Sequence, residues 1–119
     1  MDPQAYLIAS RINIGARLTD EINNIEFTKE DECLKRRAFE AIEMIFSYID
    51  DHYKRTGLYF MPPDEVTYNS NDHVLKIDGG DGCKLSVTIT NNGNDTEIRF
   101  TSKCDINESS AYEKEYGDE

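Results

Sequence analysis

The chain contains no tryptophan, and only three cysteines, three prolines and two histidines among its 119 residues. Each scarcity excludes something. Cys33, Cys83 and Cys104 form no C-x-x-C pair and leave one thiol over in any disulfide scheme, so a disulfide framework does not account for the fold. No apolar run approaches the roughly 20 residues that cross a bilayer, and Met1-Asp2-Pro3-Gln4 does not read as a basic secretory leader. Together these features lead us to expect a reducing, intracellular, cytoplasmic setting. The sequons Asn94-Asp95-Thr96 and Asn107-Glu108-Ser109 are then chance matches, because glycosylation requires secretion.

Positive charge is also in short supply. Thirteen Lys and Arg face 24 Asp and Glu, for a net charge of −11. Residues 1–60 carry eight basic and eleven acidic groups, whereas residues 61–119 carry five and thirteen, so the excess lies mainly in the second half. A field of that sign repels phosphate backbones and anionic membranes and attracts basic protein surfaces. Direct nucleic-acid and membrane binding are therefore disfavoured.

A recognisable catalytic constellation is the third absence. His52 follows Asp50-Asp51 near the end of a helical pattern, where a helix terminus favours an imidazolium, and its reading is structural. His73 falls at a strand edge and reads as a surface residue. Neither histidine lies in a nucleophile elbow. Asp50 and Asp51 are adjacent on a helix and cannot face one ligand. Asp78-Gly79-Gly80-Asp81-Gly82 lacks the alternating oxygen ligands and closing glutamate of an EF-hand loop, and Gly79-Gly80 leads into no helix that could cradle a phosphate. Asp64 is followed by no acidic-x-Lys triplet of a metal-dependent nuclease. We expect neither a metal site, nor a cofactor, nor an enzyme of a familiar class.

What is present is a clear change of period. At 119 residues the chain fits one domain, able to bury roughly two-thirds of its unfolded surface. Asp2 as N-cap and Pro3 at the first helical position open a helix over about 3–22, with Leu7, Ile14, Leu18, Ile22 and Ile25 on one stripe and Ile8 and Ile12 on its flank. Gly15 interrupts that stripe, either as a tolerated defect or as a close-packing point, and Asn23-Asn24 ends it. A longer helix spans about 29–56. Thr28 caps it, with Asp31 as a carboxylate variant of the capping box. Glu30, Asp31 and Glu32 in the first turn and Lys54 and Arg55 in the last complement the dipole, and Gly57 supplies the stop. Leu34, Ala38, Ala41, Ile42, Ile45, Ile49 and Tyr53 form its apolar stripe, widened by Phe39 and Phe46. At about 1.5 Å per residue this helix is roughly 42 Å long, longer than a short sheet behind it.

Met61-Pro62-Pro63-Asp64 forbids helix and marks the switch to strands. Period-two alternation then gives strands over about 65–69, 73–77, 83–91 and 94–103. With Asn92-Gly93 as the centre of a mirror-image turn, Val87 faces Ile98 and Leu85 faces Phe100. Centring on Gly93-Asn94 keeps the same faces but sets Lys84 opposite Lys103, a like-charge pair, so the first register is expected. Cys33 sits beside the helical stripe, and Cys83 and Cys104 share the buried parity of the hairpin.

The expected fold is therefore α+β: residues 1–104 form one domain in the order α-α-β-β-β-β, with two helices on one face of a three- to four-stranded antiparallel meander. Residues 105–119 form an acidic tail, partly disordered or a short helix starting at Ser109 or Ser110. Seven tyrosines are the remaining compositional signal. Tyr48, Tyr53, Tyr59 and Phe60 cluster near the end of the long helix, and Tyr53, Tyr59 and Phe60 read as a cover for the open end of the core. Tyr112 and Tyr116 are interleaved with acids in the tail and suit docking on a basic surface.

The function expected from this pattern is that of a non-enzymatic acidic binding protein. It would neutralise a protein with a basic, nucleic-acid-binding surface, as an inhibitor, an immunity factor or a mimic of nucleic-acid charge of the kind used in phage or viral counter-defence. The expected contact residues are Asp78, Asp81, Asp105, Glu108, Tyr112, Glu113, Glu115, Tyr116, Asp118 and Glu119. The competing expectation is a structural or adaptor subunit that dimerises through the long helix, with Phe39, Phe46 and Gly15 marking the contact.

Overall fold

The structure is a computed structural model that describes residues 3–57, 63–79, 84–93 and 95–103, with backbone alone for residues 3–10 and 103. Helix α1 runs Pro3–Asn23, a single 3-10 turn runs Lys29–Asp31, and helix α2 runs Glu32–Thr56. Four strands follow: β1 Glu65–Asn69, β2 Val74–Asp78, β3 Lys84–Asn92 and β4 Asp95–Lys103. They form one antiparallel sheet in the order β1-β2-β3-β4, the α+β meander expected from the change of period. The expected long helix thus begins as a 3-10 turn, and β2 and β3 each lie one residue later than the alternation suggested.

The helices pack on one face of the sheet, as their stripes require. Leu18 and Ile22 from α1 and Leu34, Ala38, Ala41, Ile42, Ile45 and Ile49 from α2 meet Leu75, Ile77, Leu85, Val87 and Ile89 in a buried core. Burying each leucine, isoleucine or valine of this set contributes roughly 1.5–3 kcal/mol. Ile14, Ile25, Phe39 and Phe46 pack partly buried against the core, while Ile12, on the flank of the stripe, is 67% exposed. Gly57 ends α2 with φ +77° and donates its N–H to Tyr53 O at 2.7 Å, as a left-handed cap does.

The two helices are joined by more than apolar contact. Arg11 of α1 pairs with Asp50 of α2, and its guanidinium lies 5.5 Å from the Phe46 ring centroid. Gly15 faces the same ring. A Cβ there would lie 3.7 Å from Phe46 Cε2 and Cζ, an ordinary contact, so the glycine is a tolerated defect rather than a steric requirement.

Helix α1 also packs against β1. Glu21 Oε2 accepts the Val66 N–H at 3.3 Å, and Arg17 pairs with Asp64 at 3.5 Å just before the strand. At the opposite edge Arg37 Nε donates to Thr96 Oγ1 at 2.8 Å, pinning α2 to the start of β4.

The β3–β4 register departs from the expected one. Val87 pairs with Phe100, Leu85 with Ser102, Ile89 with Ile98, and Asn92 with Asp95 at the loop end of the ladder. Both registers preserve the buried face. The observed one sets apolar Ile89 against Ile98 in mid-strand and moves Thr96 opposite Asn91 at the polar end of the ladder. The other would oppose Ile89 with Thr96. The Lys84–Lys103 pairing that argued against the observed register falls at the end of the ladder, away from the apolar mid-strand pairs. Gly93 adopts φ +79°, which the first loop position of a mirror-image turn demands.

Replacing Gly15 by Ala is expected to raise stability by about 0.5–1 kcal/mol through helix propensity, read as a shift of the urea midpoint without a change in slope. A loss of stability would mean that α1 and α2 pack more tightly here than the 3.7 Å contact allows.

Candidate functional site

Among the described residues, chemistry-bearing side chains converge most closely where α2 begins. Thr28, before the 3-10 turn, accepts the Asp31 N–H on its Oγ1 at 3.2 Å, as an N-cap should. The reciprocal half of the expected capping box is not formed. The Asp31 carboxylate makes no cap hydrogen bond; it turns into the protein, is completely buried, and meets the sheet. Tyr68 of β1 donates its hydroxyl to Oδ2 at 2.5 Å, and Asn91 of β3 donates Nδ2–H to Oδ1 at 2.7 Å. His73 places Nδ1 3.0 Å from both oxygens.

Each partner is held by its own local structure. Asn69 Oδ1 accepts the N–H groups of Asn71 and Asp72 at 2.9 and 3.2 Å, which tightens the β1–β2 connection. His73 then takes φ +57° as the last residue of that turn. The left-handed conformation is uncommon for a side-chain-bearing residue, though histidine adopts it more readily than most. Asn91 N–H donates to His73 O at 2.9 Å, and Asn91 Nδ2 also reaches Glu30 O at 3.1 Å. Tyr68 is further fixed by Phe27, whose ring centroid lies 4.8 Å away.

The electrostatics follow from this geometry. Burial pushes the Asp31 carboxyl up, but the hydrogen bonds from Tyr68, Asn91 and His73, with the charge of His73, outweigh it and hold the group below the usual carboxylate range. His73 is shifted up, chiefly by its hydrogen bond to Asp31; partial burial opposes this, and the charges of Asp31, Glu30 and Asp72 add to it. The imidazole is therefore half-buried and bound rather than the free surface residue expected at this position.

An aspartate orienting a histidine is half of a nucleophilic triad. Here the outer nitrogen, Nε2, lies 3.8 Å from Glu30 Oε1, and no hydroxyl or thiol among the described residues hydrogen-bonds to it. No group of three or more potential metal ligands occurs among the described residues. The arrangement as it stands is suited to fastening helix to sheet.

A second locus lies along the outer edge of the sheet. Between α2 and β4 runs an open groove of about 470 Å³ lined by Glu43, Met44, Ser47, Tyr48, Asp51, Ile98 and Phe100. Tyr48 stacks on Phe100 with centroids 5.3 Å apart and planes 14° from parallel. Its floor is apolar and its rim acidic: Glu43 and Asp51 are exposed and make no ion pair among the described residues.

Of the contact residues expected from sequence, Asp78 is half-buried at the end of β2, opposite Glu65 of β1. Asp81, Asp105, Glu108, Tyr112, Glu113, Glu115, Tyr116, Asp118 and Glu119 lie outside the described residues, as do Asp2, Tyr59, Phe60, Cys83, Cys104 and the possible helix start at Ser109 or Ser110. His52 is buried on the core-facing stripe of α2, 2% exposed. Cys33 is half-buried with a free thiol. Phe39 and Phe46, proposed as dimer contacts, pack against this chain's own core, and Gly15 faces Phe46 within the chain.

No family model, curated protein or solved structure matches this chain. No helix among the described residues is long and apolar enough to cross a membrane.

The Asp31 cluster escaped sequence reasoning because its members are 37, 42 and 60 residues from the aspartate. One signal was present. Asn91 continues the buried parity of Leu85, Val87 and Ile89, and a polar residue on a core face demands a partner.

Asp31→Ala is expected to cost about 2–4 kcal/mol, because it strands the buried or half-buried donors of Tyr68, His73 and Asn91. Stability should also depend on pH in a defined window. Asp31 lies below its ordinary 3.8 when folded, so its contribution is full above pH 3.8 and lost as pH falls through the lowered value. His73 lies above its ordinary 6.5, so its contribution is full below pH 6.5 and lost as pH rises through the raised value. Urea titrations across pH are expected to show an alkaline decline that His73→Gln flattens. An unchanged alkaline slope in that variant would refute the coupling.

Proposed function

We propose that this chain is a non-enzymatic acidic binding protein that occupies a basic, nucleic-acid-binding surface of another protein, as an inhibitor, an immunity factor or a mimic of nucleic-acid charge. The observation that carries this reading is the net charge of −11. The arrangement of charge supports it. The buried carboxylate Asp31 is taken up by its own donors. Meanwhile Asp20, Glu26, Glu43, Asp51, Asp95 and other carboxylates stand exposed at the surface.

In such a protein, charge acts over a longer range than contact. Opposite potentials steer the two surfaces together and raise the association rate, while short-range packing sets the lifetime of the complex. The shortage of cysteine pairs supports a working place in the reducing cytoplasm. The adaptor reading has less support, since its three markers are engaged within one chain.

Capture of partners from host lysate on the immobilised protein tests this reading. The retained partner is expected to be basic, to be displaced by added DNA or RNA, and to dissociate between about 0.1 M and 1 M salt, where the screening length falls from about 10 to 3 Å. A complex indifferent to both salt and nucleic acid would overturn it.

A further inference from the structure

We propose that the free edge of β4 takes up an extended segment of a partner protein as a fifth strand, with one large apolar side chain in the α2–β4 groove and a basic residue two positions to either side. The inference rests on the reading of the chain as an acidic binding protein and specifies how it would bind.

The two edges of the sheet differ. At β1 the helix α1 packs alongside and Glu21 accepts the outward Val66 N–H. At β4, nine residues from Asp95 to Lys103 form the other edge, and no strand among the described residues pairs with its far side. An exposed strand edge is a row of unpaired donors and acceptors, the template used in recognition by strand addition.

The groove supplies specificity. Ile98 and Phe100 point to the helical side of β4, and with Met44 and Tyr48 they leave an apolar floor beside the edge. Met44 is 41% exposed, one of the two large apolar side chains among the described residues that stand open to solvent. An added strand presents alternate side chains to this floor.

Charge selects the occupant. Glu43 and Asp51 stand on the same flank of α2, eight residues or about 12 Å apart along the helix. Residues four apart in a strand are separated by about 13 Å. A segment of the form basic-x-apolar-x-basic therefore brings a cation to each carboxylate while its central side chain fills the groove. Residues 104–119 of this chain, with Asp105, Glu108, Glu113, Glu115, Asp118 and Glu119 against a single Lys114, have the opposite charge and would be repelled by the same rim.

The test uses the full chain and the peptide Thr-Lys-Thr-Phe-Thr-Lys-Thr, acetylated and amidated. Nitrogen-15 NMR titration is expected to move amide signals of residues 95–103 and of Glu43, Met44 and Asp51. N-methylation of the peptide on alternate residues along its pairing edge should weaken binding about tenfold, the loss expected from a few backbone hydrogen bonds. Exchanging both lysines for glutamate should abolish binding, and Glu43→Lys with Asp51→Lys should restore it to the glutamate peptide. Those two exposed positions leave the core intact, so the variant reports on recognition rather than folding.

Equal binding by the methylated peptide, or shifts that avoid β4, would overturn the proposal, as would absence of binding at millimolar peptide. Protection of the outward β4 amides from hydrogen exchange in the free monomer would show that residues 104–119 already cover the edge. Protection that grows with protein concentration would show that a second copy does. Either outcome overturns the proposal. If the peptide fails while capture from lysate remains salt-sensitive and competed by nucleic acid, strand addition is wrong and the acidic-binder reading stands.

Discussion

Taking the Asp31 carboxylate out of water costs several kcal/mol unless donors meet it in the right places, and those donors come from separate parts of the sheet. Tyr68 arrives from β1, His73 from the turn between β1 and β2, and Asn91 from the far end of β3. The backbone bond from Asn91 N–H to His73 O ties two of them to each other. Apolar packing alone would tolerate small slides of helix over sheet, because aliphatic contacts are not directional. The carboxylate does not tolerate them. The start of α2 is thereby locked to one position on the sheet, and the core behind it inherits that alignment.

The same lock accounts for the β1–β2 turn. The positive φ at His73 would be a liability in isolation, at order 1 kcal/mol. It persists because it points an imidazole at a buried anion, and Asn69 braces the preceding residues through three hydrogen bonds.

The elements were legible where a single period dominates. The stripe Leu34, Ala38, Ala41, Ile42, Ile45 and Ile49 is buried as its spacing implies, and the alternation of Leu85, Val87 and Ile89 is buried as strand parity implies. Periodicity gave no purchase on the hairpin register, because sliding the turn by one residue leaves every face unchanged; the choice rests on which apolar residues oppose each other in mid-strand. Asp31 was misread for a related reason. A carboxylate three residues after a threonine at a helix start fits a local box, and nothing local announces donors 37 to 60 residues away. His73 follows Asn71 and Asp72 and looks solvated until the turn conformation is known. The groove was not legible at all, since it exists only where the flank of α2 meets β4.

The bond between Glu21 and the Val66 N–H has a consequence for stoichiometry. A sheet open at both ends can recruit partner after partner and grow into a fibre. Here α1 packs against the β1 end, and Glu21 takes one of its outward N–H groups. A strand added at β4 would meet a sheet whose opposite edge already has one outward N–H taken. Under the proposed strand addition, that guarded end favours one added segment for each copy over open-ended growth.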